Sequence, residues 1–131
     1  MALENLAPLL SLPMSFYALQ KNIHDTDLAQ MQTHSNLLDL RSRLNNLADT
    51  AAAIELMDVV IAVDTSVVHL AAALGKPVWL LLPFVADWRW LQTRRDSPWY
   101  PTARLFRQSA VGDWGRVIET VKRELMVLFK V

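Results

Sequence analysis

The stretch Asp58-Val-Val-Ile-Ala-Val63, continued by Asp64-Thr-Ser-Val-Val-His-Leu-Ala-Ala-Ala-Leu-Gly-Lys-Pro-Val-Trp-Leu-Leu-Leu82, decides the fold. Its opening is a continuous apolar run rich in β-branched residues, the mark of a strand covered on both faces. Val67 to Leu74 then reads as a short helix, stopped by Gly75 and Pro77. Val78 to Leu82 is a second buried strand. Strand, short helix and strand follow one another within 25 residues. Such a compact βαβ unit implies parallel pairing and a right-handed crossover.

On the N-terminal side, Leu3, Leu6 and Leu10 recur at helical spacing ahead of Pro13, and Phe16 to Leu19 reads as a strand ending at Gln20-Lys21. Residues 22–36 are a polar connection with room for one helical turn, and Leu37 to Leu40 a short strand. Asn46, with Asp49 three positions on, predicts the cap of a helix over about 46–57 whose inner face carries Leu47, Ala51 and Ile54. On the C-terminal side, 83–101 is loop-like. Ala103 to Arg107 reads as another strand. Asp113 caps a last helix with Val117, Val121, Leu125 and Leu128 as its apolar stripe and Glu119 to Arg123 as a favourable pair. The pattern is that of an α/β layered domain with a mostly parallel sheet.

Composition excludes several functions. The chain has 131 residues, 13 basic and 13 acidic side chains, three glycines and no cysteine. Length and a 53% apolar content fit one globular domain or a large part of one. Zero net charge argues against a nucleic-acid partner, and zero cysteines exclude disulfides, thiolate zinc sites and cysteine nucleophiles. The most apolar stretch, Pro77 to Ala86, falls well short of the roughly 20 residues that span a bilayer. Met1-Ala-Leu-Glu-Asn5 lacks the basic start of a signal peptide, so the expectation is a cytoplasmic protein without a transmembrane segment. Three glycines cannot build a Gly-rich phosphate loop.

In parallel α/β sheets ligands bind beyond the carboxyl ends of the strands. Asp64-Thr65-Ser66 falls there, between a buried strand and a helix start, where unpaired N–H groups suit a phosphate. The plain alternative is that one of the three only caps the helix. His69, one turn further, is either a packed core residue or part of that site. His24, Asp25, Asp27 and His34 are ligand-type residues whose spacing matches no metal signature, and no metal is expected. Arg89, Arg94, Arg95, Arg104 and Arg107, interleaved with Trp88, Trp90, Trp99 and Tyr100, read best as a domain or protein interface.

The run from Asp58 to Trp79, above all Asp64-Thr65-x-x-x-His69-Leu-Ala, resembles a signature of bacterial heptosyltransferase-like glycosyltransferases: glycosyltransferase family nine and the related domains that follow tetratricopeptide repeats. The likeness continues through Leu80-Leu-Leu-Pro-Phe-Val-Ala-Asp-Trp-Arg-Trp-Leu91, Asp96-Ser-Pro-Trp-Tyr-Pro101 and Arg104-Leu-Phe-Arg-Gln108, and includes Phe16-Tyr-Ala-Leu-Gln-Lys21. The second stretch looks most like the repeat-associated branch. Ser66 stands where heptosyltransferases often carry Gly and repeat-associated members commonly tolerate Ser.

The resemblance implies the C-terminal half of a GT-B fold, a Rossmann-like three-layer domain that binds the nucleotide-sugar donor. Asp64, Thr65 and Ser66 would line the donor diphosphate and sugar, His69 would belong to the same motif, and Lys21 would face the donor from a neighbouring loop. The same resemblance implies an N-terminal half bearing the acceptor site and a catalytic base, and a first strand opening the C-terminal half. Residues 1–131 are therefore expected to be a single donor-binding domain without that strand or half, with little turnover alone. The expected partners are a nucleoside diphosphate sugar and either the missing half or a second copy. The competing expectation is a non-catalytic interaction module.

Overall fold

A computed structural model describes residues 3–20, 23–63, 65–84 and 102–131. A 3-10 turn, Leu3–Leu6, leads into helix α1 (Ala7–Leu10), then β1 (Phe16–Ala18), α2 (Asp25–Met31), β2 (Leu37–Asp39), a 3-10 turn (Arg41–Arg43) and α3 (Leu47–Glu55). The chain continues through β3 (Val60–Val63), α4 (Ser66–Ala73), β4 (Val78–Leu82), β5 (Ala103–Arg107) and α5 (Trp114–Phe129). The expected βαβ unit is present as β3-α4-β4, parallel, with Val60 opposite Val78 and Val63 opposite Leu81. β5 continues the ladder in parallel, with Leu80 opposite Leu105 and Leu81 opposite Phe106.

Two expectations need correction. The connection after β1 holds the seven-residue helix α2, because Asp25 and Asp27 stabilise its first turn. Asp27 also accepts from the Leu3 N–H at 3.2 Å, tying α2 to the opening turn. The single sheet is replaced, among the described residues, by two all-parallel sheets, β1-β2 and β3-β4-β5.

Alternation along the strands sorts the core into two faces. Val60, Val78, Leu80, Leu82 and Leu105 pack with Ile54 of α3 and Val68, Ala71 and Ala72 of α4. Trp79, Leu81 and Phe106 pack on the other face with Leu9 of α1 and Val117, Ile118, Val121 and Leu125 of α5. Helices therefore cover both faces, giving the three-layer, Rossmann-like arrangement. Ala71, fully buried, lets α4 lie close to the strands.

The caps follow the sequence. Asn46 Oδ1 accepts from the Asp49 N–H at 2.8 Å, and Asp49 Oδ2 accepts from the Asn45 N–H at 3.1 Å. Asp113 Oδ1 accepts from the Arg116 N–H at 3.4 Å. The stripe on α5 ends a turn earlier than expected: Leu125 is buried but Leu128 is 52% exposed. Arg123 reaches the Thr120 hydroxyl at 3.5 Å and makes no ion pair with Glu119 among the described residues. The side chain that organises the N-terminal region is Asn36. Its Nδ2 donates toward the carbonyls of Leu10 at 2.9 Å, Leu12 at 3.2 Å and Met14 at 3.1 Å. Its own carbonyl accepts from the Phe16 N–H at 2.8 Å, opening the β1-β2 ladder.

Candidate functional site

At the carboxyl end of β3 the chain turns into α4 through Thr65. Thr65 holds extended dihedrals (φ −138°, ψ 171°) at the N-cap position, while its carbonyl accepts the His69 N–H at 3.5 Å. Its hydroxyl makes no capping hydrogen bond. The plain reading of the motif, a side chain spent on closing the helix, therefore does not hold for Thr65. Thr65 and Ser66 are both exposed. The first N–H groups of a helix have no acceptor within it, and together they carry a partial positive charge. Two exposed hydroxyls stand beside them at the carboxyl end of β3. That arrangement can hold an oxyanion, and a diphosphate has several.

His69 lies one turn in and is half-buried, beside Val68 and Leu70, and it is engaged in an interaction within the fold. Helical spacing places it on the turn that starts with Thr65 and Ser66. Asp64 and Lys21, the other two residues singled out from the sequence, lie outside the described residues. The described structure thus brings Thr65, Ser66 and His69 together on one helix start.

Other groups stand at the carboxyl ends of the remaining strands. At the end of β2, Arg41 grips Asp39 with Nη2 on Oδ2 at 2.8 Å, Nε on both oxygens at 2.9 and 3.1 Å, and the backbone N–H on Oδ1 at 3.0 Å. The Arg41 side-chain hydrogen bonds, then its backbone N–H, hold the Asp39 carboxyl below the usual carboxylate range. At the ends of β4 and β5, the buried Gln108 accepts the Phe84 N–H on Oε1 at 2.9 Å and donates its own N–H to Leu82 at 3.0 Å. This latch fixes where the chain leaves the sheet. Asp39 had only one sequence signal, its place at the end of a short strand. Gln108 entered only as the last residue of the stretch Arg104 to Gln108 quoted for the family likeness.

The arginine-rich stretch falls only in part within the described residues. Arg89, Arg94, Arg95 and the interleaved Trp88, Trp90, Trp99 and Tyr100 lie outside the described residues. Arg104 makes contacts within the fold. It pairs with Glu124 of α5 at 3.2 Å and lies 5.7 Å from the Trp79 ring centre and 5.0 Å from that of Phe106. Partial burial pushes the Arg107 guanidinium down from its ordinary value. Among the described residues no group of three or more His, Asp or Glu is arranged to hold a metal ion. His24 is the N-cap residue of α2, and Asp25 and Asp27 stand in its first turn. No helix among the described residues is long and apolar enough to cross a membrane.

Parallel strands covered by helices on both faces define an α/β protein with a Rossmann-like three-layer arrangement. Residues 18–81 match the model of glycosyltransferase family 9, the heptosyltransferase family, and this segment holds β3, the Thr65 turn and α4. Over that segment the chain is similar to the heptosyltransferase-like glycosyltransferases. It is also 33% identical to Protein FlbA of Caulobacter vibrioides over 89 residues, 65% of this chain and 14% of that protein. The match therefore spans a small part of that relative's length. No solved structure matches the chain significantly.

Proposed function

We propose that this chain is the donor half of a heptosyltransferase-like glycosyltransferase of GT-B architecture, binding a nucleoside diphosphate sugar at the start of α4. The observation that carries the reading is the exposed Thr65-Ser66 pair, with its hydroxyl free of capping duty, inside the segment matched to family 9. The diphosphate would sit against the N–H groups of the first turn, with Thr65 and Ser66 donating to its oxygens. Asp64 and Lys21 would complete the site from the adjoining turns, and His69 would brace it from the helix.

In the transfer itself an acceptor hydroxyl attacks the anomeric carbon. The bond from that carbon to the diphosphate oxygen breaks, and the hydroxyl proton passes to a base on a partner half. Negative charge grows on the leaving diphosphate, where helix-start donors stabilise it most. The reading uses no metal, places the protein in the cytoplasm, and treats residues 1–131 as one donor-binding unit with little turnover alone.

A second reading, an interaction module, draws on the exposed apolar residues Met126, Val127, Leu128 and Phe129 at the end of α5. One titration separates the two. ADP, UDP, GDP and their sugar conjugates are added while amide shifts are followed by NMR. Shifts centred on residues 64–69, lost in Thr65→Val and Asp64→Ala, are the expected result. Absence of any shift at millimolar ligand refutes the donor-site reading.

A further inference from the structure

We propose that Phe84, locked at the carboxyl end of β4 by the Gln108 side chain, is an aromatic platform that packs on a ring of the bound donor and so helps to set which donor is taken. The inference rests on the donor-site reading at the start of α4 and adds to it a residue that lies outside the Thr65 turn.

The first observation is where the fold buries polarity. Among the described residues Gln108 is the one polar side chain that is buried, at 6% exposure. An amide taken out of water costs free energy unless it is hydrogen-bonded. Here Oε1 accepts the Phe84 N–H at 2.9 Å, and the backbone N–H of Gln108 donates to the Leu82 carbonyl at 3.0 Å.

The second is what those two bonds replace. β4 and β5 run parallel, with Leu82 opposite Arg107 as their last pair. In a parallel ladder a residue donates its N–H to one carbonyl of the neighbouring strand, and its own carbonyl accepts the N–H two residues further along that strand. Gln108 makes the first of these bonds with its backbone, to Leu82. It makes the second, from Phe84, with its side chain. Pro83, between the two, has no N–H and a fixed φ, so regular pairing ends there. The Gln108 amide carries the ladder one step past the proline, while the main chain turns away toward α5.

The third is place and exposure. Val63 stands opposite Leu81 in the β3-β4 ladder. Thr65 lies two residues past the first and Phe84 three past the second, so both leave the sheet at its carboxyl edge. Their strands are ~4.8 Å apart. Phe84 is 55% exposed and, among the described residues, belongs to neither core cluster. A lone exposed aromatic calls for no explanation by itself. One whose backbone is pinned by a buried amide, at the edge where ligands of such sheets bind, is held for a contact outside the core.

The chemistry of that contact follows. A diphosphate against the first turn of α4 leaves the group it carries free to cross the neighbouring strand end. Donors to phosphate oxygens recognise charge and are blind to what the phosphates carry. An aromatic face supplies the missing contact, since it packs on the face of another ring. A base and a sugar each have such a face, and the probes below tell which is met.

Binding to the whole chain is measured by amide shifts at Thr65–His69. The probes are inorganic pyrophosphate, which has no ring, UDP and ADP, which add a base, and glucose 1-phosphate, which has a sugar and no base. In the parent the ring-bearing probe that Phe84 meets should bind more tightly than pyrophosphate. Phe84→Ala should weaken that probe roughly tenfold and leave pyrophosphate unchanged, and Phe84→Tyr should keep the parent affinity. Loss for UDP and ADP assigns the base; loss confined to glucose 1-phosphate assigns the sugar. Gln108→Met, which keeps the length but not the acceptor, should weaken the same probe; Phe84→Ala, at an exposed position, carries the test even where Gln108→Met fails to fold. Phe84→Ala binding every ring-bearing probe as the parent does overturns the inference and leaves the donor site standing. Equal weakening of pyrophosphate also overturns it, because the effect would then be a general distortion. A parent that binds none of the probes removes the donor-site reading, and the inference with it.

Discussion

Asn36 offers the sharpest test of how the N-terminal third is held. Its amide nitrogen has two hydrogens and faces three carbonyls, those of Leu10, Leu12 and Met14, at 2.9 to 3.2 Å. Three acceptors around one atom settle which end of the amide points inward, since an oxygen there would meet only oxygens. Two net hydrogen bonds at about 0.5–1.5 kcal/mol each give about 2 kcal/mol for the side chain. Asn36→Ala should therefore lower the urea midpoint by roughly 1 M, taking a slope of about 2 kcal/mol/M. Asn36→Asp keeps the volume but turns an acceptor-only carboxylate toward the same carbonyls. It should cost more than Asn36→Ala at neutral pH. Its folded-state pKa is raised, so stability is greatest below the unfolded value and is lost as pH rises through the folded one. Urea unfolding followed by circular dichroism from about pH 3 to about pH 8, a range that brackets the ordinary carboxylate value, reads both effects. An Asn36→Ala variant within about 0.5 kcal/mol of the parent refutes the reasoning, that being the range of inert surface changes. So does an Asn36→Asp variant that tracks Asn36→Ala at every pH.

Two further predictions follow from α3 and β2. Ile54→Ala should cost about 2–5 kcal/mol, because Ile54 is fully buried between α4 and the strands, whereas Leu56→Ala, 86% exposed two residues on, should change thermal unfolding little. The Asp39 carboxyl should titrate below its ordinary 3.8 by carbon NMR, and Arg41→Ala should move it back. With the folded value depressed, the contribution of this pair is present above 3.8 and is lost as pH falls through the lowered value; titration at the ordinary value would refute the grip.

What the sequence made legible was whatever local chemistry determines. The β-branched run at 59–63, the Gly75 stop and the caps Asn46 and Asp113 each act within a few residues, and each stands where expected. Gly75 takes φ +76°, the left-handed conformation that ends a helix at little cost for glycine. The helix start expected after β3 is present, with Thr65 at its N-cap and Ser66 in its first turn. What stayed hidden depends on partners distant in the chain. Asn36 reads as one polar residue in a loop until the carbonyls 22 to 26 residues away gather around it. The contacts of Arg104 with Glu124, 20 residues on, and with the Trp79 and Phe106 rings are of the same distant kind. The break between the two sheets was hidden for a further reason: hydrophobic period sets the face of each side chain and says nothing of which edge a strand offers.

The half-exposed β3 is also a hazard. A short, β-branched, proline-free strand with an open edge is the kind of segment from which stacked fibrils grow. The run from Val59 to Val63 carries no charge of its own, but Asp58 and Asp64 bracket it. If copies stacked in register, each carboxylate would meet its twin at the ~4.8 Å spacing of neighbouring strands. The two aspartates thus act as gatekeepers of the open edge. Asp64, read above for its place beside a sugar donor, would by its charge also count against such stacking.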